Sequence, residues 1–293
     1  MVMLSKSVYL AVVLLAVLAA FPYQALPFMT FSGFGGAIHG AILKDALAPL
    51  KVKKNNIAFI RKGTDSQDIP LTHKFAACPQ NHCDDNKIQE GHAYWSSKVA
   101  QAVAEAKDAH KSRAVACKVL FEFGEGMQTV QDYYAHSNYV EWLIQNNLPL
   151  DPVDWDNVPP AIRTGYYYYG GLIDNDSFCK RERAILQLKK QTPALRFHSD
   201  TEFSQRKKTN SYAEALNYVL FQGDLLHREL NKDGSRTMQG RIVIPARGKT
   251  LHILARQLAT ADTARQWIEL ERQITSRYKD DAARIISALK GGH

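Results

Sequence analysis

The segment from about Ser112 to Gln145 places apolar side chains at the three- and four-residue intervals of an α-helix. Its apolar stripe consists of Val115, Val119, Phe123, Met127 and Val130. A stripe of this kind predicts one long amphipathic helix. A helix of that length indicates a mainly helical fold.

The remainder of the chain favours the same fold class. Further helices are predicted at about 36–50, 88–110, 178–189, 212–229 and 250–289, the last as one helix or a pair. Residues 51–87 and 148–160 are turn-rich, and no segment has a strong strand pattern. With 293 residues, of which 45% are hydrophobic, the chain can bury one sizeable core. We therefore expect an all-α protein with a single mainly helical domain over residues 26–293.

The N-terminus has the composition of a secretory signal peptide over residues 1–20. Lys6 supplies a positive charge, and residues 8–20 form an uncharged apolar run. The run is shorter than the roughly 20 apolar residues that a membrane-spanning helix needs, so an uncleaved anchor is the less favoured alternative. Small side chains place the cleavage site near residues 19–25. We expect an exported protein, either secreted or periplasmic.

Export would place the cysteines in an oxidising compartment. The four cysteines are Cys78, Cys83, Cys117 and Cys179. An even number in an exported chain indicates up to two disulfides, with three possible pairings. Alternatively, Cys83 is a free thiol beside His82.

The net charge of +8 is spread along the chain. The densest basic run lies at Gln205–Lys208 and is short for a nucleic-acid-binding arm. A diffuse positive excess fits contact with anionic membranes or with phosphorylated substrates, and does not choose between them.

Three polar residues, Gln128, Asp132 and His136, follow one another at intervals of four within the long predicted helix. They lie in one stripe, each offset by about 40° from the last. An Asp and a His one turn apart can ligate the same or adjacent metal ions, whereas a solvent-exposed ion pair is the ordinary alternative. Other candidate ligands are His39, Asp68, His82 and His227.

The segment Gln131–Glu141, with the sequence QDYYAHSNYVE, resembles the signature of the zinc-dependent phospholipase C superfamily. It is most similar to the branch with fungal Het-C-like incompatibility proteins and related bacterial phospholipases. His39, the pair Asp68 and His82, and the segment His227–Asp233 follow the family pattern in order. The resemblance implies an all-α fold of the phospholipase C and related nuclease type, built around two or three zinc ions. Family members hydrolyse phosphodiester bonds in phospholipids or, in a related branch, in nucleic acids.

The resemblance also implies roles for individual residues. Its metal ligands would be His39, Asp68, His82, Asp132, His136 and His227. Asp68 and Asp132 would be catalytic, Asp68 as a general base and Asp132 as a bridging carboxylate, with Asp84 or Asp85 as possible replacements for Asp68. Candidate substrate-binding residues are Gln128, Asn138, Tyr166 and Tyr167. The tyrosines are otherwise packing residues; as a site, their rings would meet a choline-like cation or a lipid interface.

Gln128 departs from the family pattern, which has His four residues before the helical Asp. The amide oxygen of glutamine is a poorer zinc ligand than imidazole. We expect an exported zinc-dependent phospholipase C that acts at a phospholipid membrane surface, with no obligate protein partner. One alternative is a catalytically impaired Het-C-like membrane-interaction or toxin protein. The other is a nuclease, which the lack of a dense basic and aromatic groove makes less favoured.

Overall fold

The computed structural model describes residues 38–68, 78–166, 178–221 and 223–292, and only the backbone of residues 178–181 and 184. The predicted signal peptide at 1–20, its cleavage site near 19–25 and Tyr167 lie outside the described residues.

The described part of the chain is mainly α-helical, as the sequence predicts. Its helices are α1 (Ile38–Leu47), α2 (Lys54–Gln67), α3 (Ile88–Glu105), α4 (Arg113–His136), α5 (Tyr139–Gln145), α6 (Phe178–Gln191), α7 (Asp200–Lys208), α8 (Tyr212–Leu220), α9 (His227–Leu230), α10 (Leu251–Tyr278) and α11 (Ala282–Lys290). Two short antiparallel strands, β1 (Val243–Ile244) and β2 (Lys249–Thr250), pair with Val243 opposite Thr250.

The long predicted helix is interrupted after α4, because Ser137 adopts an extended conformation. Ser137 pairs with Thr164 in a short β-bridge. The side chain of Asn138 accepts a hydrogen bond from the backbone N–H of Arg163 and donates one to the carbonyl of Val219. These bonds replace the helical pattern and turn the chain into α5. The expectation of one continuous helix from Ser112 to Gln145 is therefore wrong.

Two other expectations about secondary structure are corrected, and one helix is missing from the prediction. Residues 54–67 form α2 rather than turns; this helix buries polar side chains, which hide the apolar periodicity. The helix expected over 212–229 ends at Leu220, and Gly223 follows with a positive φ of 66°. Helix α7 is absent from the prediction although Ser199 and Glu202 form a capping box at its start.

Helix α4 runs through the core and packs most extensively against α2 and α3, and also against α10. The crossing of α2 and α4 requires two glycines. A Cβ atom on Gly63 would overlap the carbonyl oxygen of Phe121, and one on Gly124 would overlap that of Ile60. This close approach brings Asp68, the residue after α2, beside the middle of α4.

Residues 178–195 belong to one compact unit, and the other described residues belong to a second. Single-domain organisation stays a prediction. Among the described residues, Cys78, Cys83 and Cys117 are free thiols, so no pair among these three forms the expected disulfide. Within the same residues, none of the helices has the length and apolar character needed to cross a membrane.

Candidate metal centre

The last turns of α4 carry polar side chains into the core. Gln128, Gln131, Asp132 and His136 are fully buried. The alternative of a solvent-exposed ion pair between Asp132 and His136 is therefore wrong. Burying a carboxylate and an imidazole costs free energy unless partner groups or a metal ion compensate them. The groups around Asp132 and His136 therefore matter most.

Four residues form what we call the first cluster: His39, Asp68, His82 and Asp132. Nδ1 of His82 lies 2.8 Å from Oδ2 of Asp132, and Nε2 of His39 lies 3.4 Å from Oδ1 of the same carboxylate. Asp68 lies 3.9 Å from both imidazoles. The first cluster joins α1, the end of α2, the 3-10 turn Pro79–His82 and α4.

Four further residues form the second cluster: Asp84, His136, His227 and Asp233. Oδ1 of Asp84 lies 3.4 Å from Nδ1 of His136 and 3.9 Å from Nε2 of His227. On the other side of the His136 ring, Nε2 lies 3.2 Å from Oδ1 of Asp233. One potential ligand atom from each of Asp84, His136 and His227 lies within 4.8 Å of the others.

Two short segments each supply a residue to both clusters. On α4, Asp132 belongs to the first cluster and His136, one turn later, to the second. His82, the last residue of the 3-10 turn, belongs to the first cluster, and Asp84, in the loop that follows, belongs to the second. The intervening Cys83 has a φ of 54°, a left-handed conformation that is uncommon for a residue other than glycine. The two clusters are therefore neighbours along α4.

Gln128 lies against the carboxylates of the first cluster. Its amide nitrogen donates to Oδ2 of Asp132 at 2.8 Å and to Oδ1 of Asp68 at 3.0 Å. The same nitrogen is 3.5 Å from Nδ1 of His82. The amide thus links two carboxylates that would otherwise repel each other.

A hydrogen bond at Nδ1 orients the ring of His39. Its Nδ1 lies 2.7 Å from Oε1 of Gln131, whose amide nitrogen donates to the hydroxyl of Thr263 at 3.1 Å. With the Nδ1 proton donated to Gln131, Nε2 faces Asp132 as an unprotonated nitrogen. A hydrogen bond of this kind behind the ring is the usual arrangement around metal-binding histidines.

Burial disfavours the charged forms of two residues in the first cluster. Burial, together with the carboxylate of Asp132, raises the pKa of Asp68 well above its usual range. Burial lowers the pKa of His39, against the attraction of Asp132. Without a cation, the first cluster therefore favours neutral forms of Asp68 and His39.

In the second cluster, the charged forms of His136 and Asp233 are favoured. Burial alone would lower the pKa of His136, but carboxylates, Asp233 foremost, raise it well above its usual range. Burial would raise the pKa of Asp233, but His136 outweighs it and the pKa is lowered. Burial, with the nearby His136, lowers the pKa of His227 to about 4. His227 is therefore neutral at pH 7, as a metal ligand must be.

Three buried carboxylate oxygens have no hydrogen-bond partner among the described residues: Oδ2 of Asp68, Oδ1 of Asp84 and Oδ1 of Asp132. In a tetrahedral zinc site with bonds of about 2.0–2.1 Å, ligand atoms lie roughly 3.3 Å apart. The 3.4 Å separation of Asp84 and His136 matches this spacing. Asp84, His136 and His227 could thus hold a metal ion, and their donor set of one oxygen and two nitrogens suits zinc.

The structure brings together the six candidate ligands that the sequence analysis names, in two neighbouring groups. The sequence analysis names Asp84 only as a replacement for Asp68, whereas Asp84 lies in the second cluster. Asp233 is missing from the predicted ligands, although it ends the segment that begins at His227. His227 and Asp233 are six residues apart, and residues at this interval do not lie on one face of a helix. The sequence pattern therefore does not indicate that Asp233 approaches the site.

Two of the candidate substrate-binding residues, Asn138 and Tyr166, lie outside both clusters. Asn138 uses its amide on backbone groups, among them the carbonyl of Val219 at 3.2 Å, and so holds loops together. Tyr166 is half-buried, and its hydroxyl accepts a hydrogen bond from Asn86 at 3.1 Å. Its carbonyl accepts the backbone N–H of His227. A substrate-binding role for these two residues stays a prediction.

No family model, curated protein or solved structure matches the chain significantly.

Proposed function

We propose that this protein is an exported zinc-dependent phosphodiester hydrolase of the phospholipase C type, with the all-α fold of that superfamily. The observation that supports the proposal most strongly is the pairing of two buried clusters along α4. Asp132 and His136, one turn apart, each lie among imidazoles and carboxylates from distant segments. Adjacent metal sites of this composition are typical of enzymes that hydrolyse phosphate esters.

In this proposal, the first cluster would hold one zinc ion and the second another, and the resemblance to the superfamily allows a third. When bound, such ions lower the pKa of a water molecule and neutralise the oxygens of a phosphate group. In the hydrolysis of a phospholipid, the oxygen of water bonds to phosphorus as the bond between phosphorus and the glycerol oxygen breaks. That oxygen takes up a proton, and the products are diacylglycerol and a phosphorylated headgroup.

The chain's own residues would bind, orient and accept protons. Gln131 holds Nε2 of His39 toward Asp132, so the imidazole is in place before anything binds. Asp68 is the candidate proton acceptor for the attacking water, because its Oδ2 has no hydrogen-bond partner among the described residues. Asp132 would serve both neighbouring imidazoles through its two oxygens.

Gln128 supports a second candidate function, that of a catalytically impaired relative acting at membranes or as a toxin. Its amide nitrogen takes a position between Asp68 and Asp132, and it offers them hydrogen bonds in place of a ligand. A first cluster held in this way would bind zinc weakly, while the second cluster would keep its ion. The same protein would then retain a structural metal without turnover.

Hydrolysis assays with zinc-loaded protein test the proposal. Mixed phospholipid vesicles should release diacylglycerol and phosphorylated headgroup, and single-stranded DNA, offered in parallel, tests the nuclease alternative. Asp132→Asn should abolish the release, whereas Asp108→Asn, at an exposed residue that belongs to neither cluster, should retain it. Zinc binding without turnover on either substrate would overturn the enzyme proposal and favour the second candidate.

A further inference from the structure

Lys232, between α9 and β1, is fully buried, which is rare for a lysine. Its ammonium group donates to the carbonyl of Ser137 at 2.5 Å and to that of Leu230 at 3.0 Å. A third bond goes to Oε1 of Glu141 at 3.2 Å. The ammonium group can therefore use all three of its N–H donors, two of them in hydrogen bonds to backbone carbonyls.

The hydrogen bonds of Lys232 fall on both sides of His136. Its backbone N–H donates to the carbonyl of Ala135 at 3.0 Å, and its ammonium donates to the carbonyl of Ser137. The next residue, Asp233, lies 3.2 Å from Nε2 of His136. Three consecutive residues at the end of α4 are thus linked to two consecutive residues of the 231–233 loop.

The 231–233 loop is held at other points as well. The carbonyl of Lys232 lies 2.7 Å from Nδ1 of His252 on α10. Asn231 donates to Oδ2 of Asp233 at 2.7 Å and accepts the backbone N–H of Asp233 at 2.8 Å. The carboxylate of Asp233 is therefore fixed relative to its own backbone. Its distance from His136 then depends on how the loop is fastened to α4.

A purely structural role for Lys232 would be to neutralise Glu141, which is also fully buried. Glu141 accepts a further hydrogen bond from the amide of Gln239 at 2.9 Å. Removing one charge of a buried pair leaves the other uncompensated, whereas removing both is often neutral. A structural role therefore predicts that a doubly neutralised pair behaves like the original.

We infer that Lys232 is a positioning residue for the second cluster: by fastening the 231–233 loop to the carbonyl of Ser137, next to His136, its side chain sets the geometry between His136 and Asp233. This inference rests on the proposed metal-dependent function. Lys232 itself belongs to neither cluster. Groups that orient metal ligands in this way typically change metal affinity by about 10–100-fold when they are removed.

The test compares three variants with the natural protein: Lys232→Met, Glu141→Gln, and the double variant Lys232→Met/Glu141→Gln. Glutamine keeps an oxygen for the amide of Gln239, so the double variant has neither a buried charge nor a lost acceptor at that position. Thermal unfolding reports stability. Titration with Co²⁺, followed by its visible absorption spectrum, reports the affinity and geometry of each metal site independently of turnover.

We expect Lys232→Met to unfold at a lower temperature and the double variant to recover most of that loss. The double variant should nevertheless bind one of its Co²⁺ ions about 10–100-fold more weakly, with an altered spectrum. Glu141→Gln, which keeps the carbonyl bonds of Lys232, should retain the natural affinity and spectrum.

A double variant with the natural Co²⁺ affinity and spectrum would overturn the inference and leave Lys232 with a structural role only. The failure of the proposed function is a different result. In that case the natural protein itself binds no Co²⁺, whatever the variants do.

Discussion

Asp132 and His136 lie one helical turn apart on α4, yet each belongs to a different cluster. Asp132 lies 2.8 Å from Nδ1 of His82, whereas His136 lies 3.4 Å from Oδ1 of Asp84. The residues on either side of Cys83 are divided in the same way: His82 belongs to the cluster of Asp132, and Asp84 belongs to the cluster of His136. One helix and one short segment therefore each contribute a residue to both clusters, an arrangement that suits the proposed pair of adjacent metal ions.

Replacing Asp84 tests the second cluster. Asp84→Asn keeps the shape of the side chain but removes the negative charge that faces His136 and His227. We expect the variant to lose one equivalent of bound zinc, measured by elemental analysis after dialysis.

The control is Asp108→Asn, the same substitution at an exposed residue that belongs to neither cluster. Its surface ion pair with Lys111 contributes little to stability, so this variant should fold and keep its zinc. Equal zinc content in the two variants would contradict the assignment of Asp84 as a ligand.

Replacing Gln128 tests the first cluster. Gln128→His puts an imidazole where the amide now contacts Asp68 and Asp132. We expect the affinity for one zinc ion to rise by at least about tenfold, the scale on which changes beside a metal act. Competition with a chromophoric zinc chelator measures this affinity.

Gln128→Leu serves for comparison, because leucine has a similar size but offers no ligand atom. Its zinc affinity should not rise. If Gln128→His folds and binds zinc no better than Gln128→Leu, the amide of Gln128 does not occupy a potential ligand position.

The crossing of α2 and α4 can be tested through Gly124. In Gly124→Ala, the new Cβ would overlap the carbonyl oxygen of Ile60, and the helices would have to separate. We expect the free energy of unfolding in urea to fall by about 1–3 kcal/mol or more. Zinc binding should weaken as well, because Asp68 follows α2.

The matched substitution is Gly234→Ala, since a Cβ there would come no closer than 4.0 Å to its neighbours. Its stability should stay within about 0.5 kcal/mol of the natural value. A Gly124→Ala protein of natural stability would show that the close approach is not needed.

A stability effect separate from the metal centre is expected at Asn56. Its amide nitrogen donates to the carbonyls of Ala288 and Leu289, at 3.1 Å and 2.7 Å, near the end of α11. Asn56→Ala leaves these buried carbonyls without that donor and should cost about 1–3 kcal/mol in urea unfolding. Zinc content should not change. The exposed neighbour, in Asn55→Ala, should have almost no effect on stability, and equal losses in both variants would contradict this role.

The sequence predicts the fold class well where helices have an apolar stripe. Helix α4 and α10 could be predicted in this way. Helix α2 could not, because Asn56, Thr64 and Gln67 take inward positions and hydrogen bonds replace apolar contacts there. The helical period is recognised from apolar residues, so a helix that buries polar side chains lacks this signal in the sequence.

The candidate site could be predicted in part for a similar reason. Asp132 and His136 share a helix face, so their four-residue interval is visible in the sequence. Asp84 and Asp233 reach the second cluster from loops, and no interval in the sequence indicates where a loop will meet α4. Only the tertiary structure joins these two carboxylates to His136.

Zinc stoichiometry of the natural protein, measured by elemental analysis after loading and dialysis, tests the metal centre most directly. The two clusters predict two or three tightly bound zinc ions per chain. Their removal by a chelator should lower the unfolding temperature, because ions that bind only the folded state stabilise it. Less than one zinc ion per chain, with an unfolding temperature that the chelator does not change, would contradict the proposal that these buried carboxylates and imidazoles form a metal centre.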